Sequence, residues 1–136
     1  MKDEVMLHIA FRQLAAAVAG LLLSGAASAA ITCSKAGFDE LNRDRTNTAY
    51  FLDDAAEKAC LDKPFVASGS VKQVYGKDEF ELIAEDGLGV TVLLAGSHGC
   101  GDLLQMKKGQ RVKVGGTVAR TYRSAGTIRL RNAVCQ

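Results

Sequence analysis

Cys33, Cys60, Cys100 and Cys135 are the only cysteines of this chain, and all four follow an apolar N-terminal stretch that reads as a secretion leader. An even number of cysteines behind such a leader points to an oxidising compartment and predicts two disulfides. The cysteines therefore bear on where the protein works and how it is held together, and leave open what it binds.

The leader has a basic start in Lys2 and Arg12, diluted by Asp3 and Glu4, and an apolar run from Leu14 to Leu23. Ala27-Ser28-Ala29 then offers small residues at both positions a signal peptidase reads. Residues 1–29 are expected to be a bacterial Sec-type signal peptide cleaved after Ala29, giving a periplasmic or secreted protein. Translation from Met6 instead of Met1 would remove the two acids. The alternative is an N-terminal buried or transmembrane helix, but the apolar run is short for a span of about 20 residues. No membrane span is expected after cleavage. Ala30-Ile31-Thr32 before Cys33 lacks the small-residue pattern of a lipoprotein signal.

What remains is enough for one domain. A chain of this size buries roughly 65% of its unfolded surface, so its core is adequate without being large. Each disulfide in such a domain typically contributes about 2–4 kcal/mol. Residues 30–64 read as a helical lead-in and residues 65–136 as a β-barrel, together forming one domain.

The periodicity changes once, at Pro64. Before it, Ser34 is placed to cap a helix carrying Phe38, Asp39, Glu40 and Leu41. Thr48 is placed to cap a second, with Tyr50, Phe51, Leu52, Ala55, Ala56 and Ala59 expected on its buried side. After Pro64 the spacing becomes two. Phe65, Ala67, Gly69 and Val71 alternate, and the slip at Val74 suggests a bulge or bend near Gly69. Phe80, Leu82 and Ala84 mark a second strand, and Val90, Val92 and Leu94 a third. Val112, Val114, Gly116 and Val118 mark a fourth, and Ile128, Leu130 and Val134 a fifth with Arg129 and Arg131 outward. The stretch from Gly96 to Gly109 suits a short helix or an irregular connection.

Five short strands, a bend in the first and a connection between the third and fourth describe an OB-fold. Three stretches carry a closer resemblance. Ala55 to Lys63 followed by Ala67-Ser68-Gly69-Ser70-Val71 looks like a helix-to-first-strand junction. Met106 to Gly116, with Lys107-Lys108-Gly109 before alternating valines, looks like the entry to a fourth strand, and Ile128 to Val134 like a closing strand. In these the chain, from about Leu52 to Val134, resembles the bacterial tRNA_anti-like OB-fold family. The family's name implies nucleic-acid binding; the matching motifs are signatures of fold, and fold alone does not establish function.

The OB topology also implies a cysteine pairing. Its fifth strand runs parallel to its third, so Cys100, shortly after the third, and Cys135, ending the fifth, belong at one end of the barrel. Cys60 precedes the first strand and belongs at the other. The expected bridges are Cys100–Cys135 and, from the remaining two, Cys33–Cys60. A disulfide needs Cα atoms within roughly 7 Å, whereas one straight helix from Phe38 to Cys60 would span over about 30 Å. The chain must therefore fold back near Thr46 to Thr48.

An OB-fold usually binds on the outer face of its second and third strands, between the flanking loops. Single-stranded nucleic acid wants aromatic platforms and positive charge there. The residues expected on that face are Glu79, Glu81, Ile83, Glu85, Thr91 and Leu93, acidic and without a ring. Nucleic acid is thereby disfavoured on the usual face. The loops bring Tyr75 with Lys77 and Tyr122 with Arg123, pairs suited to a sugar, an anion or a peptide, or else ordinary hairpin tips.

Charge is uneven. After Asp102 there is no acid, but there are Lys107, Lys108, Arg111, Lys113, Arg120, Arg123, Arg129 and Arg131. One reading is an anion or nucleic-acid patch centred on Lys113, Arg120, Arg129 and Arg131. The other is that this basic segment packs beside the acidic first half as solvated ion pairs. His98, beside Cys100, is the sole histidine after the leader, and an oxidised Cys100 is neither nucleophile nor ligand. No catalytic residues, metal or cofactor are expected. The function expected is an exported binding or adaptor module for a small molecule, glycan or protein. The alternatives are a nucleic-acid binder using the basic C-terminal strands, and a sugar-binding subunit of a secreted oligomer resembling OB-fold toxin B subunits.

Overall fold

A computed structural model of the protein describes residues 31–136. The leader, its cleavage after Ala29 and the choice between Met1 and Met6 lie outside the described residues.

Helix α1 (Lys35–Arg43) starts where Ser34 leaves the helical region and its Oγ accepts the Gly37 N–H at 3.0 Å. It buries Phe38 and Leu41. The Asp44 carboxylate then accepts the N–H and hydroxyl of Thr46 and the side-chain amide of Asn47, closing the turn that sends the chain back. Helix α2 (Ala49–Cys60) follows with Thr48 at its N-cap, although the threonine side chain makes no capping bond.

Leu52, Ala56 and Cys60 are the buried residues of α2, a spacing of four that defines a single face. Tyr50 and Phe51, expected on that face, are 74% and 60% exposed. At 3.6 residues per turn they lie about 200° and 100° round from Leu52, so the face set by the spacing of four excludes them. Their rings meet edge to face, with centroids 5.5 Å apart.

The five strands are β1 (Pro64–Val74), β2 (Glu79–Ala84), β3 (Gly89–Leu94), β4 (Arg111–Tyr122) and β5 (Thr127–Cys135). They close in the order β1-β2-β3-β5-β4, with β3 and β5 parallel and the other neighbours antiparallel. This is the expected five-stranded OB-fold barrel behind a helical lead-in. Val71, Phe80, Leu82, Val90, Val92, Val114, Val118, Ile128 and Leu130 fill it. Leu103 is buried from the short 3-10 turn Leu103–Gln105, which is all the helix that the β3–β4 connection forms among the described residues.

Two irregularities revise the expected strands. Gly69 is where β1 passes from β4 to β2, and a Cβ there would stand 2.0 Å from the Ile83 carbonyl oxygen. The register slip itself falls later, between Val71 and Gln73, so the bulge is at Lys72. In β5, Asn132 takes the left-handed conformation (φ 51°) and the pairing with β3 skips from Leu130 to Ala133. The extra residue turns Ala133 into the core and Val134, expected inside, out to 36% exposure.

Both bridges form as the topology implied. Cys33–Cys60 joins the start of the lead-in to the end of α2, with Cα atoms 5.2 Å apart. Cys100–Cys135 ties the β3–β4 connection to the end of β5, with Cα atoms 5.1 Å apart. Among the described residues no helix is long and apolar enough to cross a membrane.

Candidate ligand site

The outer face of β2 and β3 is built as the alternation requires. Glu79 lies opposite Leu93 and Glu81 opposite Thr91. Its acidity is largely met from neighbouring strands. Arg129 reaches Glu79 at 3.3 Å, Lys72 reaches Glu81 at 3.4 Å, and Arg111 pairs with Glu85. The Tyr75 hydroxyl donates to Glu81 at 2.6 Å, drawing a ring from the β1–β2 loop toward the face. That hydrogen bond, then desolvation and the charges of Glu81 and Glu79, raises the phenol above its ordinary pKa.

The basic C-terminal half is met in the same way. Arg111, Arg123, Arg129 and Arg131 pair with Glu85, Asp53, Glu79 and Asp62, all from the acidic half. Of the residues expected to form a basic patch, Arg129 and Arg131 are thus engaged. Lys113 and Arg120 make no ion pair among the described residues.

The two loop pairs do not come together. Tyr75 and Lys77 follow the C-terminal end of β1, whereas Tyr122 ends β4 and Arg123 follows it, beyond Thr117, which pairs with Pro64 at the N-terminal end of β1. Arg123 is nearly enclosed, its side chain 10% exposed, and its Nε donates to Asp53 at 2.8 Å. It also bonds the Asn42 side chain, while its own carbonyl accepts from Asn42 Nδ2 at 3.1 Å. It fastens both helices to the β4–β5 turn.

His98 accepts the Cys100 N–H on Nδ1 at 2.9 Å, and its carbonyl accepts the Cys135 N–H. It is part of the closure around the second disulfide. Among the described residues no three His, Cys, Asp or Glu side chains gather as a metal site.

A groove of about 340 Å³ lies where the end of α2 packs on β4, lined by Glu57, Leu61, Ala119, Arg120, Thr121 and Tyr122. It contains Arg120 and Tyr122, two of the residues the sequence singled out. It adds Glu57, Leu61, Ala119 and Thr121, which it did not. The ladder between β4 and β5 shifts between Val118 and Arg120, so Ala119 and Arg120 form a bulge beside the groove. Tyr122 stands 42% exposed along it.

No protein-family model matches the sequence, and no curated protein matches it.

Proposed function

We propose that the protein is an exported, non-catalytic OB-fold module of the tRNA_anti-like kind that binds a small ligand, a glycan or a protein. Two disulfides favour an oxidising, extracytoplasmic setting. The leader makes that setting the periplasm or the exterior. The observation that carries the reading is the mutual neutralisation of the two halves. Four of the eight bases after Asp102, Arg111, Arg123, Arg129 and Arg131, are engaged by acids from residues 53–85, so half of the basic segment is already paired and less of it is available to a phosphate backbone. Binding then falls to loops and grooves instead of the β2–β3 face.

The experiment is fluorescence anisotropy of a labelled single-stranded oligonucleotide with residues 30–136, in a salt series. The expected result is no binding at low salt. Tight binding that weakens steeply with salt, the mark of phosphate contacts, would replace this reading with nucleic-acid recognition through the C-terminal strands.

A further inference from the structure

We propose that the groove between α2 and β4 binds a small zwitterion, a free α-amino acid with an apolar side chain. This rests on the reading of the chain as a binding module and gives that module a ligand class. The volume of about 340 Å³ lies within the range of small-molecule sites. Its two charged linings are of opposite sign. Glu57 comes from α2 and Arg120 from β4, and neither makes an ion pair among the described residues. Their neighbours do: Asp53 and Asp54 on the same helix, and Arg123, Arg129 and Arg131 on the adjoining strands and turn, all hold partners.

Arg120 has a further reason to take an anion. It stands opposite Arg129 in the β4–β5 ladder, and like charges directly across a ladder are unfavourable. Arg129 is compensated by Glu79; Arg120 awaits a counter-charge. A ligand carboxylate can meet the planar guanidinium in two parallel hydrogen bonds. The ligand ammonium then meets Glu57. Leu61, Ala119 and the ring of Tyr122, which line the same groove, supply apolar contact for the ligand side chain. A phosphate dianion would be repelled by Glu57. A neutral sugar would leave both exposed charges to water and gain nothing from their opposite signs. A zwitterion satisfies both at once.

The test is an amide NMR titration of residues 30–136 with L-leucine, N-acetyl-L-leucine and L-leucine methyl ester. Leucine is expected to shift the amides of Glu57, Leu61 and residues 119–122. Removing either ligand charge is expected to weaken binding by about tenfold or more, the scale of one hydrogen bond to a charged group. In Glu57→Gln the penalty for N-acetylation should vanish while that for esterification stays. In Arg120→Gln the reverse should hold. Thermal midpoints and intact mass of both variants establish that they are folded and oxidised. Shifts confined to other surfaces, no shifts at saturating leucine, or penalties unchanged in the variants would each overturn the proposal. Failure here leaves the module reading in place, because the oligonucleotide salt series tests that reading with a different ligand and a different readout.

Discussion

Asp44 shows how much one exposed carboxylate can organise. The Thr46 hydroxyl, the Asn47 amide and the Thr46 N–H all donate to it, in that order of importance, and they lower its pKa from 3.8 to about 2. These bonds favour the ionised form in the folded turn. A carboxyl whose folded pKa is depressed contributes stability above its unfolded value and loses it as pH falls through the folded one. The turn between α1 and α2 is therefore intact at pH 4 and above and loosens toward pH 2. In an acid titration followed by NMR, the Thr46 amide should move with a midpoint about 2. In Asp44→Ala that transition should be absent, while the Gly37 amide, held by Ser34, keeps its own profile. A Thr46 midpoint near 3.8, the ordinary value, would show that the three bonds do not persist in solution.

At the scale of elements, α2 separates two kinds of apolar residue. Leu52 is 7% exposed, and Leu52→Ala should cost about 2–4 kcal/mol, as for other buried leucines. The Tyr50 and Phe51 rings meet each other and stay largely exposed. Changing both to Ser should alter stability by no more than about 0.5–1 kcal/mol, as at other surface positions. Urea unfolding of the two variants distinguishes the cases, and a large loss in the double variant would mean that the rings are covered in solution. The same helix marks what sequence could and could not supply. The five strands were legible because alternation is a local signal that each strand carries by itself. The face of α2 was misread because aromatic rings weigh as core by composition, whereas Leu52, Ala56 and Cys60 set the face by spacing. The inward turn of Ala133 was hidden because it depends on Asn132 adopting φ 51°, a conformation that asparagine tolerates without announcing. Arg120 and Tyr122 were visible as chemistry. The groove was not, since it exists only where residues 57–61 meet residues 119–122, far apart in the chain.

The whole molecule is held by a barrel and two covalent closures of unequal accessibility. Cys33, Cys100 and Cys135 are each half-buried, so the second bridge offers two reachable sulfurs and the first only one, its Cys60 being fully buried. Limited reduction followed by alkylation and mass spectrometry should label Cys100 and Cys135 first, since exchange requires access for the attacking thiolate. Labelling of Cys33 and Cys60 first would contradict that order. Complete loss of either bridge should lower stability by about 2–4 kcal/mol. The pairing pattern also bears on how the protein is made. Each cysteine bonds to the next one along, 27 residues on in the first bridge and 35 in the second. Were the chain to emerge N-terminus first into an oxidant, Cys33 and Cys60 would meet each other before Cys100 arrived. β5, which closes the barrel between β3 and β4, would emerge last and bring Cys135 to a Cys100 that had no other free partner. For a chain delivered N-terminus first into an oxidising compartment, the order of emergence would be the order of native pairing, a pattern that needs no reshuffling of bridges.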